Sequence, residues 1–130
     1  MRGVWPITAA ICLLAGCTSA EKAARDARQS AGSWGATLSA AAERWGSGEI
    51  STRYFRSLIV QARTSLNKEA SSARSAGGDA AAAPVDAVAG RIDAIEQAVM
   101  RGDRPAAIAV AHDAASTAPA RKTPAVARPQ

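Results

Sequence analysis

The residue types able to carry chemistry are few in this 130-residue chain: two cysteines, Cys12 and Cys17, and one histidine, His112. Two thiols five positions apart could hold a metal or close a disulfide. A structural zinc site takes four ligands, however, and one histidine is all the chain can add beyond carboxylates. No metal is therefore expected. His112 as a general base would need a nucleophile or a carboxylate held beside it. Asp113, its neighbour in sequence, points to a different side of a helix. Glu43, Glu49, Asp93 and Glu96 read as surface charges paired with nearby arginines. There is no Gly-rich phosphate loop, no Ser-His-Asp set and no ligand cluster. The expectation is a non-catalytic protein with no cofactor.

The position of the cysteines is more informative than their number. Met1-Arg2 is a short basic start, Val4 to Leu14 is mostly apolar despite Pro6 and Thr8, and Leu14-Ala15-Gly16-Cys17 follows. A basic start, an apolar run and small residues at a cleavage point make a secretory signal. The run is too short for a transmembrane helix, which needs about 20 apolar residues. Cys12 lies inside the run and would leave with it. Leu14-Ala15-Gly16-Cys17 resembles the lipobox of bacterial lipoproteins at all four positions. That resemblance implies cleavage before Cys17, a thioether-linked diacylglycerol on its sulfur and an acyl group on its freed amine. The competing readings are an ordinary signal peptide with a chance cysteine, or a cut at Ala20. The residue after the cysteine is Thr18 rather than Asp. By the best-known sorting rule of that family, this implies the outer membrane, facing the periplasm. Two or three acyl chains hold a protein stably, at about 0.8 kcal/mol per buried methylene. Membrane attachment would then rest on Cys17 alone.

Composition limits what the mature part, 17–130, can build. The chain holds 34 alanines, so its 48% hydrophobic content overstates its core. Beyond Cys17 there are 19 residues among Val, Ile, Leu, Met, Phe, Trp and Tyr. At about 1.5–3 kcal/mol per fully buried large side chain, they make a thin core. The net charge of +5 loses one with Arg2, and three more sit on Arg121, Lys122 and Arg128 in the last twelve residues, leaving about +1 on the body. That balance, and export, argue against nucleic acid as a partner.

The elements that must carry these residues read as helices. Ala24, Ala27, Ala31, Trp34, Leu38, Ala41 and Trp45 recur at spacings of 3 and 4, one seam on a helix over about 20–45. Trp34, Leu38 and Trp45 are its large side chains and form a candidate protein-interaction face, although packing against the next helix competes for them. Gly32 and Gly35 weaken this helix by about 1 kcal/mol each relative to alanine. Gly46-Ser47-Gly48 ends it, and Ser51 caps a second helix over about 51–73, with Tyr54, Phe55, Leu58, Ile59, Ala62 and Leu66 as its stripe. The small-residue segment 71–84 reads as a linker. Pro84 and Asp86 mark a third helix over about 85–101, with the seam Val85, Val88, Ile92, Ile95 and Val99. Asp103 caps a fourth over about 104–117, with Ile108, Ala111 and Ala115 inward. Residues 119–130 read as a disordered, basic, Pro-rich tail, either a solubilising terminus or a contact for an anionic lipid face or cell-wall polymer.

The expectation is thus an all-α domain over 17–118, after a signal peptide over 1–16: two antiparallel helical hairpins forming a small, loose four-helix bundle. Gly48-Glu49 and Gly102-Asp103 lie too far apart for a tetratricopeptide-type repeat of about 34 residues. The function expected is that of a lipid-anchored structural or adaptor protein of the envelope, with another envelope protein as partner. A self-associating coiled coil and an accessory subunit of a membrane-bound enzyme are the alternatives.

Overall fold

The computed structural model describes residues 5–117, with side chains from Ser19 onward; the basic tail expected over 119–130 lies outside the described residues. The chain is all-α in this region and has three helices: α1 (Trp5–Gly46), α2 (Thr52–Met100) and α3 (Arg104–Thr117). The expected four helices in two separate hairpins are not what it forms. The segment 71–84, read as a linker, is helical and belongs to α2. Its alanines explain this, since alanine is the best helix former and a run of it needs no large side chain to stay helical. Pro84 does not start a helix but lies inside one. The first helix begins at Trp5 rather than near Ala20, running through the expected signal segment.

The length of α2 is nonetheless not a straight rod. Thirty residues of straight helix span about 45 Å, yet Arg63 Nη2 lies 2.7 Å from Asp93 Oδ1. The helix therefore folds back on itself, and it does so at Gly78, whose φ of 76° and ψ of −170° are non-helical. That combination is essentially restricted to glycine. The arms 52–77 and 79–100 thus run antiparallel. Arg74 braces the reversal: its Nε donates to Asp79 Oδ1 (2.7 Å) and its Nη2 to Asp86 Oδ2 (2.6 Å).

The other two reversals share one device. Gly48 (φ 80°) donates its N–H to the Trp45 carbonyl while Glu49 donates to that of Arg44. Gly102 (φ 68°) donates to Val99 while Asp103 donates to Ala98. Both are Schellman closures, which need the left-handed conformation that glycine adopts without a Cβ clash. Each is followed at once by an N-cap. Ser51 Oγ accepts from Tyr54 N–H (3.1 Å), and Asp103 Oδ1 accepts from Ala106 N–H (3.1 Å).

The core follows the apolar seams. On α1, Ala27, Ala31, Leu38, Ala41 and Trp45 are buried, with Ala24 and Trp34 half-buried. On the arms of α2, Phe55, Ile59, Ala62, Leu66, Val85, Val88, Ile92, Ile95 and Val99 are buried. The inward face of α3 is Ala107, Ala111 and Ala114, with Ile108 and Ala115 on its flank. It is rotated by one residue from the expected Ile108, Ala111 and Ala115, because α3 meets α1 through small side chains at close range. A Cβ on Gly35 would lie 3.1 Å from Ala115 Cα. The core is graded along its length. Near Gly78 it is alanine, as Ala27, Ala31, Ala70, Ala73, Ala81 and Ala82 show. Toward the two Schellman turns it holds Trp45, Phe55, Leu38 and Ile95.

Candidate functional site

Cys17 falls within α1, but its side chain lies outside those described. The packed body begins just beyond it. Ala20 packs on Gly77 of the first arm of α2, where a Cβ would lie 3.6 Å from Ala20 Cα. An open groove lies beside this contact, lined by Ser19, Lys22, Ala23 and Asp26 of α1 and by Glu69, Ser72, Ala73 and Ala76 of α2. The packed body thus starts within one helical turn of Cys17, at the Gly78 end.

The candidate interaction face Trp34–Leu38–Trp45 turns mostly inward. Leu38 and Trp45 are buried and Trp34 is half-buried. This corrects the expectation of a face offered to a partner: the seam is the one that faces α2 and α3. Trp45 is the centre of a knot that joins all three helices. Its ring lies 5.6 Å from that of Phe55, tilted by 36°. Its Nε1–H donates to Thr52 Oγ1 (3.0 Å), so the one polar atom of the indole is satisfied. The Arg104 guanidinium stands 5.8 Å over the ring, within range of a cation–π attraction, and Arg104 Nη1 also donates to the Gly46 carbonyl (3.2 Å). Short turns at 47–51 and 101–103 bring these residues together, which spacing along α1 alone does not reveal.

The titratable residues pair across helices. Arg63 of the first arm of α2 donates through Nη2 to Asp93 and to Glu96 of the second. The hydrogen bond to Glu96, with the charges of both carboxylates, raises Arg63 above the ordinary guanidinium value despite some opposing desolvation. Arg91 pairs with Asp113 of α3 (2.8 Å). Asp93, Glu96 and Glu49 thus pair with arginines as expected, Glu49 at 4.0 Å from Arg44. Glu43 is different: its Oε1 lies 2.8 Å from His112 Nε2, linking α1 to α3. Both side chains are exposed. The nearest hydroxyl along the helix, Ser116, donates to the His112 carbonyl rather than to the ring. The arrangement is a surface clasp between helices. Among the described residues no group of three or more His, Cys, Asp and Glu could hold a metal, and no helix is long and apolar enough to cross a membrane.

Comparison of the chain with protein-family models, with curated proteins and with solved structures returned no match.

Proposed function

We propose that the chain is a lipoprotein precursor, cut before Cys17 and held by lipid on that residue at the outer membrane of a two-membrane bacterium. Its mature body is a non-catalytic structural or adaptor component facing the periplasm. The observation that carries this reading is Leu14-Ala15-Gly16-Cys17 at the end of an apolar run with a basic start. A thiol beside small residues is what a lipid-transferring enzyme and a peptidase at the bilayer surface need to reach.

The fold is consistent with such a role. With lipid on Cys17, the Ala20–Gly77 contact stands next to the bilayer. The two Schellman turns then stand roughly 40 Å away, at 1.5 Å per residue along α1. Counting the arms of α2 separately, the body is a loose bundle of four antiparallel segments on one anchor. A self-associating coiled coil through Trp34, Leu38 and Trp45 has less to draw on, because Leu38 and Trp45 are covered within the chain.

The test is metabolic labelling with palmitate in a bacterial host. The wild-type chain takes up label and loses residues 1–16; Cys17→Ser takes up none and keeps them. Equal labelling of the two chains sinks the proposal.

A further inference from the structure

Of the ten arginines among the described side chains, six make an ion pair or a side-chain hydrogen bond. Arg25 of α1, Arg53 and Arg56 of α2 and Arg101 at its end do not, and Arg53 and Arg56 stand one helical turn apart. Arg53 and Arg56 are exposed and make no ion pair or hydrogen bond among the described residues. They line an open groove with Thr52, Ser57 and Val60. Val60 is 56% exposed, one of three large apolar side chains left in solvent among the described residues.

The groove is lined by the first arm alone, and the register of the two arms sets the second arm beside it. Arg63 meets Asp93. Two helical turns toward the Schellman end, Arg56 stands level with Met100, because seven residues return each arm to the same face. Met100 is 67% exposed. The ion pair of the Arg63 level is thus replaced, at the Arg56 level, by a guanidinium with no carboxylate and a bare thioether. Arg101 follows, its guanidinium also unpaired among the described residues. The nearest carboxylate in sequence, Asp103, caps α3.

We infer that the surface formed by Arg53, Arg56, Val60 and Met100 docks an acidic, partly apolar segment of another protein. Guanidinium forks match carboxylates two at a time, and arginine with methionine is a pairing enriched at protein interfaces. Methionine adapts to the partner's shape. A second copy related by a two-fold axis is disfavoured, because it would set these arginines against their own images. A bare anionic polymer would leave Val60 and Met100 in water. This inference deepens the adaptor part of the proposed function and rests on it. It does not rest on the lipid, since the surface lies at the end of the bundle away from Cys17.

The test is a titration of the isotope-labelled full-length chain, followed by backbone amide shifts. Three probes are used: a peptide of alternating Glu and Leu pairs at helical spacing, the same peptide with Ser for Leu, and vesicles containing anionic phospholipid. The first probe shifts amides of 52–60 and 97–101. Arg53→Gln/Arg56→Gln weakens its binding at least tenfold, and Met100→Ser weakens it severalfold. Both variants keep the wild-type circular dichroism, because the altered side chains are exposed and unpaired. The Ser peptide binds at least tenfold more weakly than the Leu peptide. The proposal is overturned if the Ser peptide or the vesicles shift the same amides as strongly, if shifts centre on Lys22, Arg25 and Arg28, or if none of the probes shifts 52–60. Cys17→Ser leaves the expected shifts unchanged, so failure here and failure of the anchor are separate results.

Discussion

At the scale of single residues, the chain shows how similar residues in one helix take opposite roles. Gly32 and Gly35 both look like weak points of α1. A Cβ at Gly32 meets nothing within 4 Å, whereas one at Gly35 meets Ala115 Cα at 3.1 Å and the Ala114 carbonyl at 3.3 Å. Gly32→Ala should therefore stabilise the protein by about 0.5–1 kcal/mol through helix propensity alone. Gly35→Ala should forfeit that gain by pushing α3 away, ending at least about 1 kcal/mol below Gly32→Ala. Urea denaturation of the two variants checks the difference; equal stabilities would mean that α3 does not press on Gly35. The tryptophans divide in the same way. Trp45→Ala removes a buried ring, its hydrogen bond to Thr52 and the seat of Arg104, a loss of about 3–5 kcal/mol. Trp34→Ala, at a half-buried position, should cost less than half as much by the same urea denaturation. That Trp45 packs near Tyr54 or Phe55 could be read from the sequence, since a glycine-rich turn sets them close; the structure selects Phe55 and leaves Tyr54 exposed. The seat of Arg104 could not, because it depends on where α3 returns.

At the scale of elements, periodicity located the helices well and their ends unevenly. The caps at Ser51 and Asp103 and the stops at Gly48 and Gly102 were legible, because a cap needs an oxygen side chain and a Schellman stop needs glycine. The α3 bounds came out as expected for that reason. The reversal inside α2 was misread. A stretch of Ala, Ser and Gly carries no apolar seam, so 71–84 looks like a linker, yet alanine holds it helical and one glycine suffices to turn the chain. Gly78 is thus the hinge on which the body depends. Gly78→Ala should destabilise by about 1–3 kcal/mol, because φ of 76° with ψ of −170° is strained for any residue with a Cβ. Thermal melts followed by circular dichroism read this, and an unchanged melting temperature would refute the backbone argument. Arg63 staples the same two arms from the side. Arg63→Ala should cost on the order of 1 kcal/mol, the upper range for an exposed ion-pair network, measurable in a double-mutant comparison with Glu96→Gln.

At the scale of the whole molecule, the body is light at one end and dense at the other. The alanine-packed end near Gly78 is the one that follows Cys17, and the end with Trp45, Phe55 and the uncompensated arginines lies away from it. This polarity was legible only in part. The anchor motif stands out in the sequence, while the free arginines emerge only once the partners of the others are known. The sorting part of the proposal has its own consequence: Thr18→Asp should move the protein from outer to inner membrane fractions on a sucrose gradient, and an unchanged distribution would count against the sorting rule here. The most direct measurement of the central claim is mass spectrometry of the N-terminal peptide from protein purified from bacterial membranes. The peptide should begin at Cys17 and carry a diacylglycerol with at least one further acyl chain. An unmodified peptide beginning at Met1, or just beyond Ala20, would contradict it.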